Sequence, residues 1–476
     1  DKDDVEAAGL VKFDCLGLAT LTILEIAKEF IVARHKGQED FAFEKIPLDD
    51  AATYKLFTDG KTEAVFQFES RGMQGMLRDA KPTRLEDLIA LNALYRPGPM
   101  DLIPSFVARK HGREEVEYPH PLVANMLSET YGIMVYQEQV MLTAQILGGY
   151  SLGGADLLRR AMGKKKAEEM AQHRQIFRDG ALKNGINEAK ADEIFDLMEK
   201  FAGYGFNKSH AAAYSLLAYH TGWLKVHYTA EFFCANMTVE MDNTDKLKVL
   251  FEDAQKNFGL TFEPPDVNRG AYRFEPISDK VIRYGLGAVK GTGQQAIEAI
   301  VKARADGPFT SLYDFCVRVD RTRLNKRTVE ALIKAGAFDS LQLNRASLVA
   351  SIDRAFEFAA TTEANANQGG LFDMDGSHAA STQEPDLVEA LPWGVKERLT
   401  YEKTAVGFYL SGHLFDEVAL EVRRFVRRQI EELIDAREPQ LLAGIVSDFR
   451  VINGQRGKLA LFKLDDKSGN IDARAD

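Results

Sequence analysis

Apolar positions recur at helical spacing along most of the chain. Ile194, Leu197, Met198 and Phe201 follow an i, i+3, i+4, i+7 stripe. Asn187, ahead of that stripe, is suited to cap a helix, and Gly203 is suited to stop it. The pattern predicts mostly helical structure from residue 20 to 275, broken at Arg96-Pro97-Gly98-Pro99. Before it, Leu10 to Asp14 alternate as a strand ending at an acid would. Pro264-Pro265-Asp266 predicts a domain boundary. Residues 276–360 read as small helices joined by glycine turns. Residues 361–386 are polar and rich in Gly, Ser and Asn, so they are expected to be flexible. Residues 415–436 return to an amphipathic helix. From Leu441 onward, LLAGIVSDFRV and KLALFKLDDKSGNI read as two strands followed by an Asp/Ser/Gly turn. No internal repeat of solenoid period stands out.

Composition narrows the classes. A chain of 476 residues exceeds one ordinary domain, so two to four are expected. With 45% hydrophobic and 28% charged residues it can bury real cores. No apolar run approaches the roughly 20 residues of a membrane span, and no signal peptide opens the sequence. Cys15, Cys234 and Cys316 are odd in number and far apart. That argues against a disulfide framework or zinc knuckle and suits a reducing cytoplasm. The net charge of -11 argues against a wholly basic nucleic-acid coat. It leaves room for a local groove, because phosphate binding follows the nearby field. The sequence lacks an initiator Met, opens on DKDDVEAAGLVKFD and stops in NIDARAD, and so reads as an internal piece of a larger protein.

Within that acidic background, Leu152–Lys166 concentrates Arg159, Arg160, Lys164, Lys165 and Lys166 against one acid, Asp156. Cations at close range repel unless an anion sits between them, and paired Arg suits phosphate. A solvated helix end would account for the spacing equally well. Asp14 stands at the expected strand end, where fixed carboxylates hold Mg²⁺, and Lys12 shares its face. A capping or turn role is the commoner fate of such an Asp. Gly203 to His210 leads into a helix with Ser209 as a possible cap. Its glycines and Lys208 make an anion cradle conceivable. Tyr204, Phe206 and Tyr214 could stack on bases or pack in a core.

Leu286 to Gly293 precedes a helix with Ile297, Ile300 and Val301 on one face. Gly287, Gly291 and Gly293 permit a tight turn beside Lys290 and Thr292. Backbone N–H groups there could grip phosphate without reading sequence, as in a helix-hairpin-helix. A second, weaker copy runs through Leu324 to Ala337. Gln368 to Phe372 is an apolar island in a polar stretch. Leu371 and Phe372 would each contribute about 1.5–3 kcal/mol in a partner pocket, or staple onto the protein itself. No Ser-His-Asp, Cys-His or HExxH arrangement stands out. His210, His220 and His227 suit core or surface roles better than metal binding.

Together these segments resemble a known family. VKFDCLGL, AVFQFESRGM, ALYRPGPM, YGIMVYQEQVM, GGADLLRRAMGKKK, KFAGYGFNKSHAAAY and YGLGAVKGTG occur in the order found in family C replicative DNA polymerases, the bacterial polymerase III α subunits. The resemblance runs from Asp4 to Ile471. It implies an α+β multidomain protein, mostly α. The end of a polymerase palm would occupy residues 1–20 and large helical fingers 21–275. A helix-hairpin-helix and clamp-binding domain would occupy 276–438, and the start of an OB-fold β-barrel 439–476.

The resemblance further implies two Mg²⁺ ions held by three palm aspartates. Asp14 would be the third, and an Asp-x-Asp upstream would supply the others, so this stretch alone is expected to be inactive. Lys12, Arg159 and Arg160 would hold the incoming deoxynucleoside triphosphate. Lys164, Lys165, Lys208, His210 and the Gly287, Lys290, Gly291, Thr292, Gly293 turn would contact primer-template DNA. Gln368, Leu371 and Phe372 would be the motif for a sliding clamp. Other replicase subunits would dock through regions mostly outside this sequence. The implied setting is the cytoplasm, at the nucleoid, with no membrane. Cys15 departs from the family's usual aromatic. A non-catalytic DNA-binding and clamp-tethering module, or an error-prone paralogue, are the alternatives.

Overall fold

In a computed structural model, the chain is described at residues 2–11, 13, 15–164, 167–368, 383–454 and 457–475. It divides into two compact units: Asp1–Asn236 with Lys256–Gly259, and Met237–Gln255 with Leu260–Asp476. No described helix is long and apolar enough to cross a membrane.

The first unit is helical and has two cores. In one, α1 (Leu85–Leu94) packs on a helix that runs from Lys208 to His227, with Phe57, Phe68, Leu77 and Tyr219 fully buried around them. The other is built by α2 (Gln137–Gly148), α3 (Leu152–Lys164), α4 (Ala167–Lys183) and α5 (Glu188–Ala202). Leu147, Leu158, Phe177, Phe195 and Met198 meet there with no more than 1% exposure. Each such side chain stabilises the unit by about 1.5–3 kcal/mol.

The α5 sequence explains its own bounds. Asn187 accepts the Lys190 N–H at 2.8 Å, and the helix ends before Gly203. Ile194, Met198 and Phe201 are buried, and Leu197 packs at the edge of the same core. Where α2 crosses α4 the backbones nearly touch, and a methyl on Gly180 would collide with the Gly148 carbonyl. Arg96-Pro97-Gly98 ends the α1 segment as expected, with Gly98 at φ +100°.

The second unit carries a small sheet, β1 (Thr261–Glu263), β2 (Glu275–Ser278) and β3 (Val281–Arg283), in the order β1-β3-β2. It also carries an antiparallel sheet of β4 (Ile445–Gly454), β5 (Gly457–Asp465) and β6 (Asn470–Ala475). The two strands expected after Leu441 are therefore present, and the turn after them leads into a third. That turn is organised by the buried Asp466 carboxylate, which accepts the backbone N–H groups of Ser468 and Gly469.

Three local expectations need correction. Leu10, Val11 and Phe13 lie in no strand and are exposed, because a lone strand has no ladder to join. The flexible stretch expected from residue 361 begins as helix, since Ile352–Gln368 is continuous and TTEANANQ is rich in residues a helix tolerates. Beyond it, residues 386–390 are pinned: Val388 and Ala390 donate their N–H groups to Ser351 and Ser347. The amphipathic helix expected over 415–436 is only short turns, Leu414–Glu417, Ala419–Val422 and Ile430–Glu432. Arg423, Arg424, Arg427 and Arg428 crowd like charge into its middle. Asp466 also draws Arg423 and the Ile430 N–H to itself, at 2.6 and 3.0 Å.

Candidate nucleic-acid interface

The paired arginines sit on α3, whose Ala155, Leu158, Ala161 and Met162 face the core. Asp156 is one turn earlier on the opposite side. Arg159 and Arg160 each reach it at 2.8 Å, at i+3 and i+4. The Arg159 hydrogen bond, helped by the nearby Arg160 charge, holds the Asp156 carboxyl below the usual carboxylate range. The anion expected between these cations is thus supplied from within. Arg160 keeps 63% of its side chain exposed and Arg159 only 24%, so Arg160 has the freer donors. Lys164 ends the helix, and Lys165 lies outside the described residues. Lys12 and Asp14 lie outside them as well.

The Gly203–His210 turn is corrected in detail. The helix α6 (Lys208–His227) is capped by Asn207, not Ser209, with the His210 N–H at 2.8 Å. Glu138 accepts the Lys208 N–H at 2.9 Å, and Glu129 takes the Lys208 ammonium at 2.6 Å. Two carboxylates therefore already take donors that an anion cradle at this turn would use. His210 is exposed and tilts against Tyr214 at 4.2 Å, and Phe206 lies under the Arg96 guanidinium at 4.4 Å. Phe206 and Tyr214 thus pack against their own neighbours, and Tyr204 remains 48% exposed.

The glycine turn of the second unit is more open. Gly287 is buried, its N–H bonded to the Tyr272 carbonyl, because a side chain there would strike the Tyr272 ring. The Lys290 N–H is spent on Ala405, and the Thr292 hydroxyl on the carbonyls of Leu286 and Val289. These three hold the hairpin's shape. Gly291, at φ +83°, and Gly293 have open space where a Cβ would be. Gly293 caps α7 (Gln294–Ala303), so the first N–H groups of that helix face outward without intrahelical partners.

The second hairpin faces the first. Its helix α8 (Lys326–Lys334) is capped by Asn325, and the Thr328 hydroxyl donates to the Gly291 carbonyl at 3.3 Å. Both helix starts open onto one cavity of about 600 Å³, lined by Gly291, Gly293, Gln294, Gln295, Arg323 and Asn325. Sequence reasoning assigned no residue of the second hairpin. The signal was there, since Arg323-Leu324-Asn325 precedes its helix as Thr292-Gly293 precedes the first. Of the apolar island, Gln368 is the last residue of α9 (Ile352–Gln368), and Leu371 and Phe372 lie outside the described residues.

Two helix N-termini converging from tandem hairpins define a helix-hairpin-helix arrangement within the second unit. Residues 259–348 match the family model of the helix-hairpin-helix motif. Residues 20–185 match that of the bacterial DNA polymerase III alpha subunit finger domain. The chain is 55% identical over 474 residues to the DNA polymerase III subunit alpha of Neisseria meningitidis serogroup B. It is 49% identical to that of Xylella fastidiosa and 46% to that of Escherichia coli K12. These alignments cover 99%, 100% and 99% of this chain. They cover only 41%, 41% and 42% of the relatives, so the chain spans about two fifths of their length. Over that span it is a homologue of the bacterial DNA polymerase III α subunits.

Proposed function

We propose that this chain is the fingers and duplex-holding part of a replicative DNA-directed DNA polymerase. The full-length protein would add deoxynucleotides to a primer 3′ end. The observation that carries the DNA-holding role is the pair of hairpin helix starts opening onto one cavity beside the uncluttered Gly291 and Gly293. Backbone N–H groups at such ends suit phosphate and are blind to sequence. Residues 1–20 would close a palm, 21–275 form the fingers, 276–438 hold duplex and clamp, and 439–476 begin an OB fold. Two Mg²⁺ ions, held in part by Asp14, would neutralise charge developing on the transferred phosphoryl group. Lys12, Arg159 and Arg160 would orient the triphosphate. The working site would be the cytoplasmic nucleoid.

The test is fluorescence anisotropy of this 476-residue chain with blunt duplex DNA. Binding should be weak, indifferent to sequence, and steeply weakened by salt as counterions are released. Gly291→Glu/Gly293→Glu should cost at least tenfold in affinity, because two carboxylates would face the phosphates. Unchanged affinity in that variant would remove the hairpins from DNA binding.

A second expectation concerns Gln368, Leu371 and Phe372. As a clamp-binding motif, Leu371 and Phe372 would fill an apolar pocket on the ring. Calorimetry against purified clamp should show Leu371→Ala/Phe372→Ala losing several kcal/mol, enough to erase a micromolar interaction. Equal affinities would mean that the island packs on its own protein.

A further inference from the structure

We propose that a groove on the first unit, between the helices Arg71–Ala80 and Ile103–Lys110, docks an acidic amphipathic segment of a partner protein. The proposal uses no hairpin residue and stands whether or not the hairpins hold DNA.

The two helices leave a cavity of about 690 Å³. Its apolar lining includes Met76, Ile103, Pro104 and Val107. Met76 and Val107 are buried, Ile103 is half-buried and Pro104 is exposed, so the apolar surface runs from rim to floor. A flexible thioether such as that of Met76 refits to different partners, and an apolar cleft between helices suits the apolar face of an amphipathic segment.

The rim is cationic. Arg78, Lys81 and Arg113 line the same cavity and are exposed. Arg78 donates to the Asp59 carbonyl, a neutral partner, at 3.4 Å. The Lys81 and Arg113 side chains have no hydrogen bond or carboxylate partner among the described residues. Asp79 is the one carboxylate in the lining, and the His111 ring bonds its backbone carbonyl at 2.9 Å. The acids around the groove are turned elsewhere: Asp59 pairs with Lys55, and Glu114 with Arg109, both at 2.8 Å. Glu115 is exposed but does not line the cavity. Three cations, Arg78, Lys81 and Arg113, thus face one acid, on a chain of net charge -11.

Lys81 adds an independent sign. It closes the helix Arg71–Ala80 in the left-handed conformation, at φ +46° and ψ +67°, with its N–H on the Leu77 carbonyl at 2.8 Å. Glycine is the residue that such a helix end favours, and a side chain there is strained. Strain kept in this way clusters at binding sites. Here it sets an ammonium on the rim of an apolar cleft. These features select the partner. Leu or Ile side chains would take the floor, and Asp or Glu would take the three cations. A nucleic acid would use the cations and leave the floor idle, since no aromatic ring lines the cavity for a base to stack on.

The test is fluorescence anisotropy of this chain with a labelled peptide of about fourteen residues, Leu at i, i+3, i+4 and i+7 and Glu elsewhere. The peptide should bind saturably, and about tenfold more weakly when its Leu are Ser or its Glu are Gln. Arg78→Glu/Arg113→Glu should weaken it at least about tenfold, and a circular-dichroism melt checks that this variant is folded. Lys81→Gly should weaken it about threefold while the chain melts at the same temperature or higher, because glycine relieves the left-handed turn. Lys81→Arg should bind like the wild type. A Lys81 with only a structural role would leave peptide affinity unchanged in Lys81→Gly. Blunt duplex DNA should bind Arg78→Glu/Arg113→Glu within about twofold of the wild type, the cost of a changed overall field. No saturable peptide binding up to about 1 mM, or equal peptide affinity in wild type and Arg78→Glu/Arg113→Glu, overturns the proposal. So does a loss of duplex affinity as large as the loss for peptide, which would make the groove a phosphate track.

Discussion

On the proposed reading of Asp14 as a metal ligand, Asp14→Asn in the full-length protein is expected to abolish nucleotide addition while primer-template affinity stays within about twofold. Hard divalent ions take charged oxygen ligands, and an amide oxygen lacks the charge. Losing one metal ligand removes several kcal/mol of transition-state stabilisation, which is at least about a thousandfold in rate. On the same reading DNA affinity rests on the hairpins and not on Asp14, so a gel shift should barely move. Arg159→Ala and Arg160→Ala should behave differently: they should raise the KM for nucleotide and lower kcat/KM. Arg160→Ala should do more, because Asp156 already occupies the half-buried Arg159 through two bonds, at 3.1 and 2.8 Å. Single-turnover primer extension separates these outcomes. A near-normal rate for Asp14→Asn would reduce that residue to a cap.

What could be read from the sequence was what short-range chemistry decides. The α5 helix announced its cap, stripe and stop because Asn187, Ile194, Met198 and Gly203 act within a few turns of one another. The first hairpin was legible because Gly291 sits at φ +83°, a conformation that favours glycine. The failures are long-range. Nothing near Lys208 foretells that Glu138, some 70 residues earlier, accepts the first N–H of its helix. The run Arg423, Arg424, Arg427 and Arg428 was a local sign against a helix there, but nothing near it foretells that Asp466, 43 residues later, holds Arg423. The Asp156 pairing lies between these cases. Its i+3 and i+4 spacing was visible, but whether the arginines faced their own acid or an outside phosphate depended on which side of α3 meets the core.

That seating of α3 makes Gly180 a sensitive position, although it touches no candidate ligand. Gly180→Ala is expected to lower the melting temperature of the first unit by roughly 6–12 °C. A β-carbon at Gly180 would strike the Gly148 carbonyl, so two helix backbones must move apart. Nor can Gly148 yield easily, since its own Cα faces the buried Phe177 ring. Overpacking of this kind costs about 3 kcal/mol, at the upper end of its range, because backbone and not a side-chain tip must shift. The same displacement loosens the core on which Ala155, Leu158, Ala161 and Met162 seat α3. In the full-length protein Gly180→Ala should therefore raise the KM for nucleotide, as the arginine changes do, without removing any charge. Gly163→Ala on α3 is the control. Its β-carbon would enter open space, and in a helix Ala is favoured over Gly by about 0.5–1 kcal/mol, so melting should hold or rise slightly. Calorimetric melts of both variants, with nucleotide titrations of primer extension, decide the matter. A Gly180→Ala protein that melts within 1 °C of the wild type would show that the crossing of α2 and α4 is looser than these contacts require.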